Sequence, residues 1–220
     1  YSYGSAELAI STLNKNLDLN IKEFITVNFD AVAEAVDALG GIDINIETQE
    51  EMKYLNSYIA ETSKVTGITS EKLTKTGKQT LDGVQAVAYS RIRYTEGGDY
   101  KRAERMRTVI QAMVEKLKTK SIGEINNFID TILPKVKTNI KTGEMLSIIP
   151  DMLNYKITES IGWPYETKGI TLDRWYGVPV TLENNVTRLH QEAFGETDYQ
   201  VSEEIKTISD QIITKTGYGK

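Results

Sequence analysis

Residues 29 to 46 contain three consecutive patterns. Apolar residues at helical spacing come first, two glycines follow, and the segment ends with alternating apolar and polar residues. Glycine after the last apolar position is a common way to end a helix, and strict alternation is typical of a half-buried strand. With the β-branched stretch Ile21 to Val27 before it, this pattern predicts a strand-helix-strand unit. The residues concerned are Phe29, Val32, Ala33, Val36 and Leu39 for the helix, Gly40 and Gly41, and Ile42 to Ile46 for the strand.

The remaining patterns predict an α/β fold with three layers, in which helices flank a central mixed β-sheet. A long polar excursion over residues 50–76 follows the second predicted strand, and Trp175 to Val180 predicts a further strand. With 220 residues, 40% of them apolar, and no linker-like segment, we expect one domain over residues 1–220. Helices are predicted for Ala6 to Leu17, Asp99 to about Lys118, Ile122 to Leu133, Thr142 to Leu153, Leu182 to Phe194 and Val201 to Ile213.

Composition excludes several classes of site. The chain has no cysteine and one histidine, His190, so a disulfide framework, a thiolate zinc site and a cysteine nucleophile are impossible. A net charge of −5 argues against a general nucleic-acid surface. No stretch reaches the roughly 18 apolar residues of a membrane span.

Arginine is concentrated in one segment. Five of the seven arginines lie between positions 91 and 107, a window of net charge +3 in a chain of −5, whereas lysine supplies the cations elsewhere. The planar guanidinium grips phosphate or carboxylate with two parallel hydrogen bonds, which an ammonium cannot do. The cluster therefore predicts an anion site built from Arg91, Arg93, Arg102, Arg105 and Arg107.

Local geometry orders these candidates. If Ser90 to Tyr94 is extended, Arg91 and Arg93 share one face. Asp99 follows a Gly-Gly turn and can cap the next helix, whose N-terminus favours phosphate. On that helix Asp99 and Arg102 project onto the apolar stripe and are expected to face inward. Arg105 lies at the flank of the stripe and Arg107 lies away from it. Among the arginines of this helix, Arg102 is therefore the first candidate for the anion site, followed by Arg105 and then Arg107. The stripe consists of Met106, Val109, Ile110, Met113, Val114 and Leu117.

The alternative interpretation is structural. The same arginines can form ion pairs with Glu96, Asp99 and Glu104, because ion-pair networks resemble functional clusters. His190 on a helical pattern is more simply a packed residue than a catalyst, and Trp163 and Trp175 fit a loop anchor as well as a sugar-binding surface.

The motif from Leu81 to Tyr94, LDGVQAVAYSRIRY, and the motif from Gly98 to Arg105, GDYKRAER, resemble the central signature of the LytR-CpsA-Psr family. Further segments match the family in the same order along the chain, so the resemblance covers nearly all of it. These segments are residues 28–44, Thr138-Asn139 and Leu189-His190. It implies an extracytoplasmic, membrane-anchored phosphotransferase of Gram-positive cell-wall biogenesis. Such an enzyme transfers a glycopolymer, such as teichoic acid or capsule, from undecaprenyl pyrophosphate to peptidoglycan at the outer face of the membrane or in the wall.

The resemblance also implies residue roles. Arg91, Arg93 and Arg102 bind the pyrophosphate, and Asp99 orients arginines or assists proton transfer. Arg105 belongs to the substrate site, and the prenyl tail lies along Met106, Val109, Ile110 and Met113. The implied cofactor is a divalent cation, Mg or Mn. The family's metal-binding aspartates and a further arginine stand on strands upstream of Tyr1, and Met106 replaces a frequent glutamine.

Two other functions stay open. One is a non-catalytic module that binds a lipid pyrophosphate or another anion, and the other is a transcriptional regulator. No helix-turn-helix pattern supports the regulator, and the acidic balance disfavours DNA.

Overall fold

The structure is a computed structural model that describes residues 4–141, 143–145 and 162–219. The chain forms two compact units, Ile25–Ser160 and the pair of segments Tyr1–Phe24 and Ile161–Lys220. In chain order the elements to β3 are α1 (Ala6–Leu17), β1 (Ile25–Thr26), α2 (Phe29–Ala38), β2 (Ile42–Ile46), α3 (Gln49–Thr66) and β3 (Gly77–Leu81). There follow α4 (Gly83–Arg91), α5 (Gly98–Lys118), α6 (Ile122–Ile132), a 3-10 turn (Leu133–Lys135), β4 (Lys137–Thr138), β5 (Thr167–Thr171), β6 (Trp175–Pro179), α7 (Leu182–Phe194) and α8 (Glu203–Thr216).

The α/β class is confirmed, and the sheet differs in form from the predicted one. Where the sequence predicts one mixed sheet, the strands of the described residues form three antiparallel pairs, β1 with β4, β2 with β3 and β5 with β6. In β2 the residues Ile42, Ile44 and Ile46 are buried while Asp43 and Asn45 are exposed. This alternation confirms the predicted strand, because one face of the β2–β3 pair packs on the core of the larger unit.

Helix α4 lies at the centre of the larger unit and contacts α2, α3, α5 and β3. Every residue from Gly83 to Ser90 is buried. Asp82 and Gln85 form a capping box at its start, which satisfies free backbone N–H groups of the first turn. Gly83 is required there, because a Cβ atom would overlap the backbone of Ala33 on α2.

Three predictions for the larger unit are wrong in part. The polar stretch after β2 is not an excursion but begins with the 18-residue helix α3, capped by Thr48 and ended by Gly67. Ser90 and Arg91 end helix α4 instead of beginning an extended segment. The strand predicted over Ile21 to Val27 is only two residues long, Ile25–Thr26.

The smaller unit is built on α1, α7, α8 and the β5–β6 hairpin. Leu17, Leu182, Val186 and Ile205 form its buried core. The predicted helix over Leu182 to Phe194 is confirmed, with Thr181 as its N-cap and Gly195 as its C-cap. Most of the helix predicted near Thr142 to Leu153 lies outside the described residues.

His190 is a packed residue of this unit. Its ring is 6% exposed, its Nδ1 lies 2.6 Å from Glu196 Oε2 and its Nε2 lies 2.9 Å from the carbonyl oxygen of Leu17. Trp163 donates from Nε1 to the Asn185 carbonyl oxygen at 3.3 Å, as a loop anchor would, whereas Trp175 is 62% exposed. None of the helices in the described part of the chain is long and apolar enough to cross a bilayer.

Candidate functional site

An apolar cavity of about 600 Å³ lies in the larger unit. Its walls come from the segment 25–39, α4, α5, α6 and the residues that follow α6. Among the described residues that line it none is charged, and Asn28 and Ser90 are the polar ones. All six residues of the predicted α5 stripe face it, namely Met106, Val109, Ile110, Met113, Val114 and Leu117. A cavity of this composition suits a hydrocarbon ligand.

Arg91 lies beside this cavity. Its guanidinium carbon is 5.1 Å from the centroid of the Phe29 ring, and Phe29 is a wall residue. The same carbon is 5.3 Å from the Tyr58 ring, and Nη1 donates to Thr62 Oγ1 at 3.0 Å. The side chain is 22% exposed, so these contacts fix the position of a cation that still reaches solvent.

Asp99 connects the other two predicted clamp residues. Its Oδ1 lies 3.1 Å from Arg93 Nε and 3.2 Å from Arg102 Nη1. Asp99 occupies the first turn of α5 and is 71% exposed, and the N-cap position belongs to Gly97, without a side-chain cap. The prediction that Asp99 and Arg102 face inward is therefore wrong for Asp99, and Arg102 is only partly buried, at 29% exposure.

Arg102 retains hydrogen-bonding capacity. Its Nε is buried and has no partner among the described residues. A buried N–H without an acceptor costs free energy, and an anion beside it would remove that cost. Arg93, at 54% exposure, also keeps donors open to solvent.

Arg105 is the arginine that the fold buries, contrary to its predicted place at the flank of the stripe. It is 3% exposed, and its Nε donates to Glu51 Oε1 at 2.8 Å. Nη1 and Nη2 donate to the Ile92 carbonyl oxygen and to Thr95 Oγ1 at 3.3 and 3.0 Å. The structural ion-pair interpretation is confirmed for Arg93 and Arg102, which pair with Asp99 as it predicts. Arg105 is also in an ion pair, with Glu51 and not with one of the predicted partners, and its other donors hold the loop that carries Arg93.

Tyr58 lies beside the Arg91 guanidinium, whose central carbon is 5.3 Å from its ring. The pKa of its hydroxyl is raised, chiefly because burial disfavours the phenolate, and Tyr94 and Glu61 add to this effect. The positive charges of Arg91 and Arg93 act in the opposite direction and lower this pKa. Sequence reasoning missed Tyr58, Thr62 and Phe29, since Tyr58 and Thr62 lie in the stretch taken for a surface excursion.

The residues of the described part do not by themselves fit a divalent cation. No three carboxylate or imidazole side chains converge there, and Mg²⁺ or Mn²⁺ requires a set of oxygen ligands. Of the carboxylates beside the arginines, Asp99 is already shared by two guanidinium groups, and Glu61 Oε2 lies 3.4 Å from Arg91 Nη2. The expected divalent cation stays a prediction.

Comparison with known proteins identifies the class. The family model described as LytR_cpsA_psr matches residues 1–189, and the chain belongs to this family. The match includes residues of both compact units, and their joining into one domain stays a prediction.

Two curated relatives are teichoic acid transferases by name. The chain is 28% identical over 198 residues to the polyisoprenyl-teichoic acid–peptidoglycan teichoic acid transferase TagU of Enterococcus faecalis, covering 87% of this chain and 58% of that protein. It is 27% identical over 174 residues to TagT of Bacillus subtilis, an enzyme of the same name, covering 77% and 51%. The chain thus spans little more than half the length of these relatives.

Two solved structures share the fold. Protein gbs0355 of Streptococcus agalactiae superposes with a TM-score of 0.69 at 25% identity, over 92% of this chain and 66% of that one. TagV of B. subtilis superposes with a TM-score of 0.68 at 19% identity, over 91% and 74%.

Proposed function

We propose that this chain is the part of a cell-envelope phosphotransferase that binds a polyprenyl-pyrophosphate-linked glycopolymer for transfer to peptidoglycan. The observation that carries the proposal is the contact between the Arg91 guanidinium and Phe29, because it joins a cation to the wall of an apolar cavity. A prenyl pyrophosphate has the matching construction, a hydrocarbon chain ending in a charged head. The names of the TagU and TagT relatives agree with it.

In this proposal the tail occupies the cavity along α5. Arg91, Arg93 and Arg102 surround the pyrophosphate, and Asp99 holds the latter two guanidinium groups in place. Burial of a hydrocarbon chain contributes about 0.8 kcal/mol for each CH₂ group removed from water. The tail therefore supplies affinity, and the arginines supply position and charge.

The chemical step follows from this placement. A hydroxyl of the peptidoglycan acceptor attacks the phosphorus that carries the sugar, and the bond between that phosphorus and the bridging oxygen breaks. Polyprenyl phosphate leaves with the bridging oxygen as the new phosphodiester forms. Negative charge grows on the leaving phosphate, and fixed guanidinium groups stabilise it. The hydroxyl proton requires an acceptor, and we assign this role to Asp99, whose side chain is 71% exposed. Such an enzyme acts at the outer face of the cytoplasmic membrane, where its lipid substrate is held.

A second candidate is a module that binds the lipid pyrophosphate without catalysis. One observation favours this candidate: the described residues contain no group of three or more side chains that could hold a metal ion. Transfer to a soluble peptidoglycan fragment distinguishes the two, because both candidates bind the lipid and only the first consumes it.

Binding is tested by calorimetry with geranylgeranyl pyrophosphate, a short soluble prenyl pyrophosphate. We expect Arg91→Ala, Arg93→Ala and Arg102→Ala each to weaken binding about tenfold or more, since a hydrogen bond to a charged group contributes about 1.5–3 kcal/mol. The control is Arg107→Ala, which lies on α5 like Arg102 and should bind the ligand with the affinity of the parent protein. Unchanged affinity in all three clamp variants would overturn the proposal, provided that their unfolding temperatures match that of the parent protein.

A further inference from the structure

Helix α3 packs against Arg91 in its C-terminal half. Thr62 Oγ1 accepts a hydrogen bond from Arg91 Nη1 at 3.0 Å. The Tyr58 ring, one turn earlier on the helix, lies 5.3 Å from the central carbon of the same guanidinium. Thr62 is fully buried, so the packing around it fixes the position of its hydroxyl. This half of α3 therefore sets the direction of the Arg91 guanidinium.

The first turn of α3 holds the segment that carries Arg93, and it does so through Arg105. Glu51 Oε1 accepts from Arg105 Nε at 2.8 Å. The two other guanidinium nitrogens donate to the Ile92 carbonyl oxygen at 3.3 Å and to Thr95 Oγ1 at 3.0 Å. Because Ile92 and Thr95 stand on either side of Arg93 in the chain, the buried ion pair fixes both ends of this short segment.

Aromatic contacts attach the middle of the same segment to α3. The Tyr94 ring stacks with Tyr58 at 6.4 Å between centroids and 22° between planes. It also lies 5.9 Å from Tyr54, which precedes Tyr58 by one helical turn. Tyr94 follows Arg93 directly in the chain. The segment thus has three attachments, at both ends and in the middle, and all three lead to α3.

These attachments matter because the Arg93 side chain has little of its own to hold it. It is 54% exposed, and its ion pair with Asp99, at 3.1 Å, lies at the surface. An exposed ion pair orients a long side chain only weakly. A guanidinium whose backbone and neighbours are fixed loses less conformational freedom when it binds an anion, so binding is tighter.

We propose that α3 is the template that positions two of the clamp arginines, with Thr62 acting through Arg91 and Thr95 acting through Arg93. This inference rests on the proposed function, since it concerns the same pyrophosphate site, and it adds two positioning residues to that site. Neither threonine is among the residues that line the apolar cavity. Their hydroxyls accept from guanidinium groups, and their effect on the ligand passes through those arginines.

The test measures binding of geranylgeranyl pyrophosphate by calorimetry in Thr62→Val and Thr95→Val, each of which loses one hydroxyl and keeps its shape. We expect each to weaken binding about two- to tenfold, the range for immobilising one long side chain. Thr95→Ser retains the hydroxyl and should bind like the parent protein. The matched control is Thr108→Val on α5, whose hydroxyl donates to the Glu104 carbonyl oxygen of its own helix and whose loss should leave binding unchanged.

Double-mutant cycles separate positioning from a general loss of structure. In the Arg93→Ala background, Thr95→Val should have no further effect, whereas Thr62→Val should keep its full effect because it acts through Arg91. In the Arg91→Ala background the two results should be exchanged. A merely structural role would weaken binding by the same factor in every background, since independent effects add in free energy.

Parent-like affinity in Thr62→Val or in Thr95→Val would overturn the role of that threonine and leave the proposed function in place. A loss that persists undiminished when the corresponding arginine is already alanine would overturn it likewise, as would an equal loss in Thr108→Val or in Thr95→Ser. Failure of the parent protein to bind geranylgeranyl pyrophosphate would overturn the proposed function, and the template with it.

Discussion

Arg105 on α5 and Glu51 on α3 form an ion pair of 2.8 Å in which the two side chains are 3% and 6% exposed. The second oxygen of Glu51 accepts the backbone N–H of Glu47 at 2.9 Å. Tyr89 lies beside the pair, where burial and then the negative charge of Glu51 raise the pKa of its hydroxyl to about 12. The pair therefore joins two helices, and Tyr89 stays protonated at physiological pH.

Breaking this pair should destabilise the larger unit severely. Arg105→Ala leaves the Glu51 carboxylate buried without its partner, and we expect a loss of about 3–5 kcal/mol in the free energy of unfolding. Urea denaturation followed by circular dichroism measures the loss. The control is Arg107→Ala, expected to change stability by less than about 0.5 kcal/mol.

The double variant Arg105→Met, Glu51→Leu separates the two contributions to that loss. Two apolar side chains leave no unpaired charge, so we expect this variant to be more stable than Arg105→Ala. A double variant as unstable as the single one would contradict this account and would place the cost in the lost bonds to Ile92 and Thr95.

Ile110 tests whether the cavity binds the prenyl chain. It lines the cavity and is 59% exposed, so an aspartate there can be solvated without unfolding the helix. We expect Ile110→Asp to weaken binding of geranylgeranyl pyrophosphate by about tenfold or more, because the tail then meets a charge. Leu172→Asp, at an exposed apolar residue of the smaller unit, should bind like the parent protein. Equal losses in both variants would show that the cavity is not the tail site.

Gly83 tests the close approach of α4 to α2. An added Cβ atom would meet the carbonyl group of Ala33, which is backbone and cannot rotate away. We expect Gly83→Ala to lower the free energy of unfolding by about 1–3 kcal/mol, the usual cost of overpacking. The matched control is Gly123→Ala on α6, where the added methyl group meets nothing within 4 Å and should stabilise by about 0.4–1 kcal/mol. Thermal unfolding measures both changes in stability. A stabilised Gly83→Ala together with a destabilised Gly123→Ala would refute the close approach of α4 to α2.

Glu124 makes part of the stability of α6 dependent on pH. The Ser121 backbone N–H, the Ser121 hydroxyl and then Lys120 lower the pKa of this carboxyl from 4.5 to about 2. A pKa depressed by folding means that the carboxylate stabilises the folded state fully above pH 4.5 and that this stability is lost as pH falls toward 2.

The corresponding variant is Glu124→Gln, which keeps a side-chain oxygen as acceptor and does not ionise. We expect the parent protein to exceed it in unfolding midpoint at pH 6 and the difference to shrink steadily below pH 4.5. Glu23→Gln, at an exposed residue, is the control. A difference that stays constant across this range would mean that Glu124 does not titrate as described.

Periodicity located the elements that have one buried face. The alternation of Ile42 to Ile46 and the helical spacing of the α5 stripe correspond to β2 and to the wall of the cavity. It did not assign α4, because every residue from Gly83 to Ser90 is buried and no polar face marks a period. It also missed α3, where polar and charged residues cover a helix that buries only Glu51, Leu55, Ile59 and Thr62.

The sequence alone determined that five arginines fall in one short segment, that the α5 stripe is apolar and that the chain has an α/β pattern. These are local properties, set by residue type and spacing. The tertiary structure decided which arginine is buried and which aromatic rings join the site. Glu51 is 54 residues from Arg105 along the chain and Thr62 is 29 from Arg91, so neither partner leaves a trace in local spacing. A helical projection locates the apolar face, whereas a buried carboxylate on another helix draws a flanking guanidinium inward.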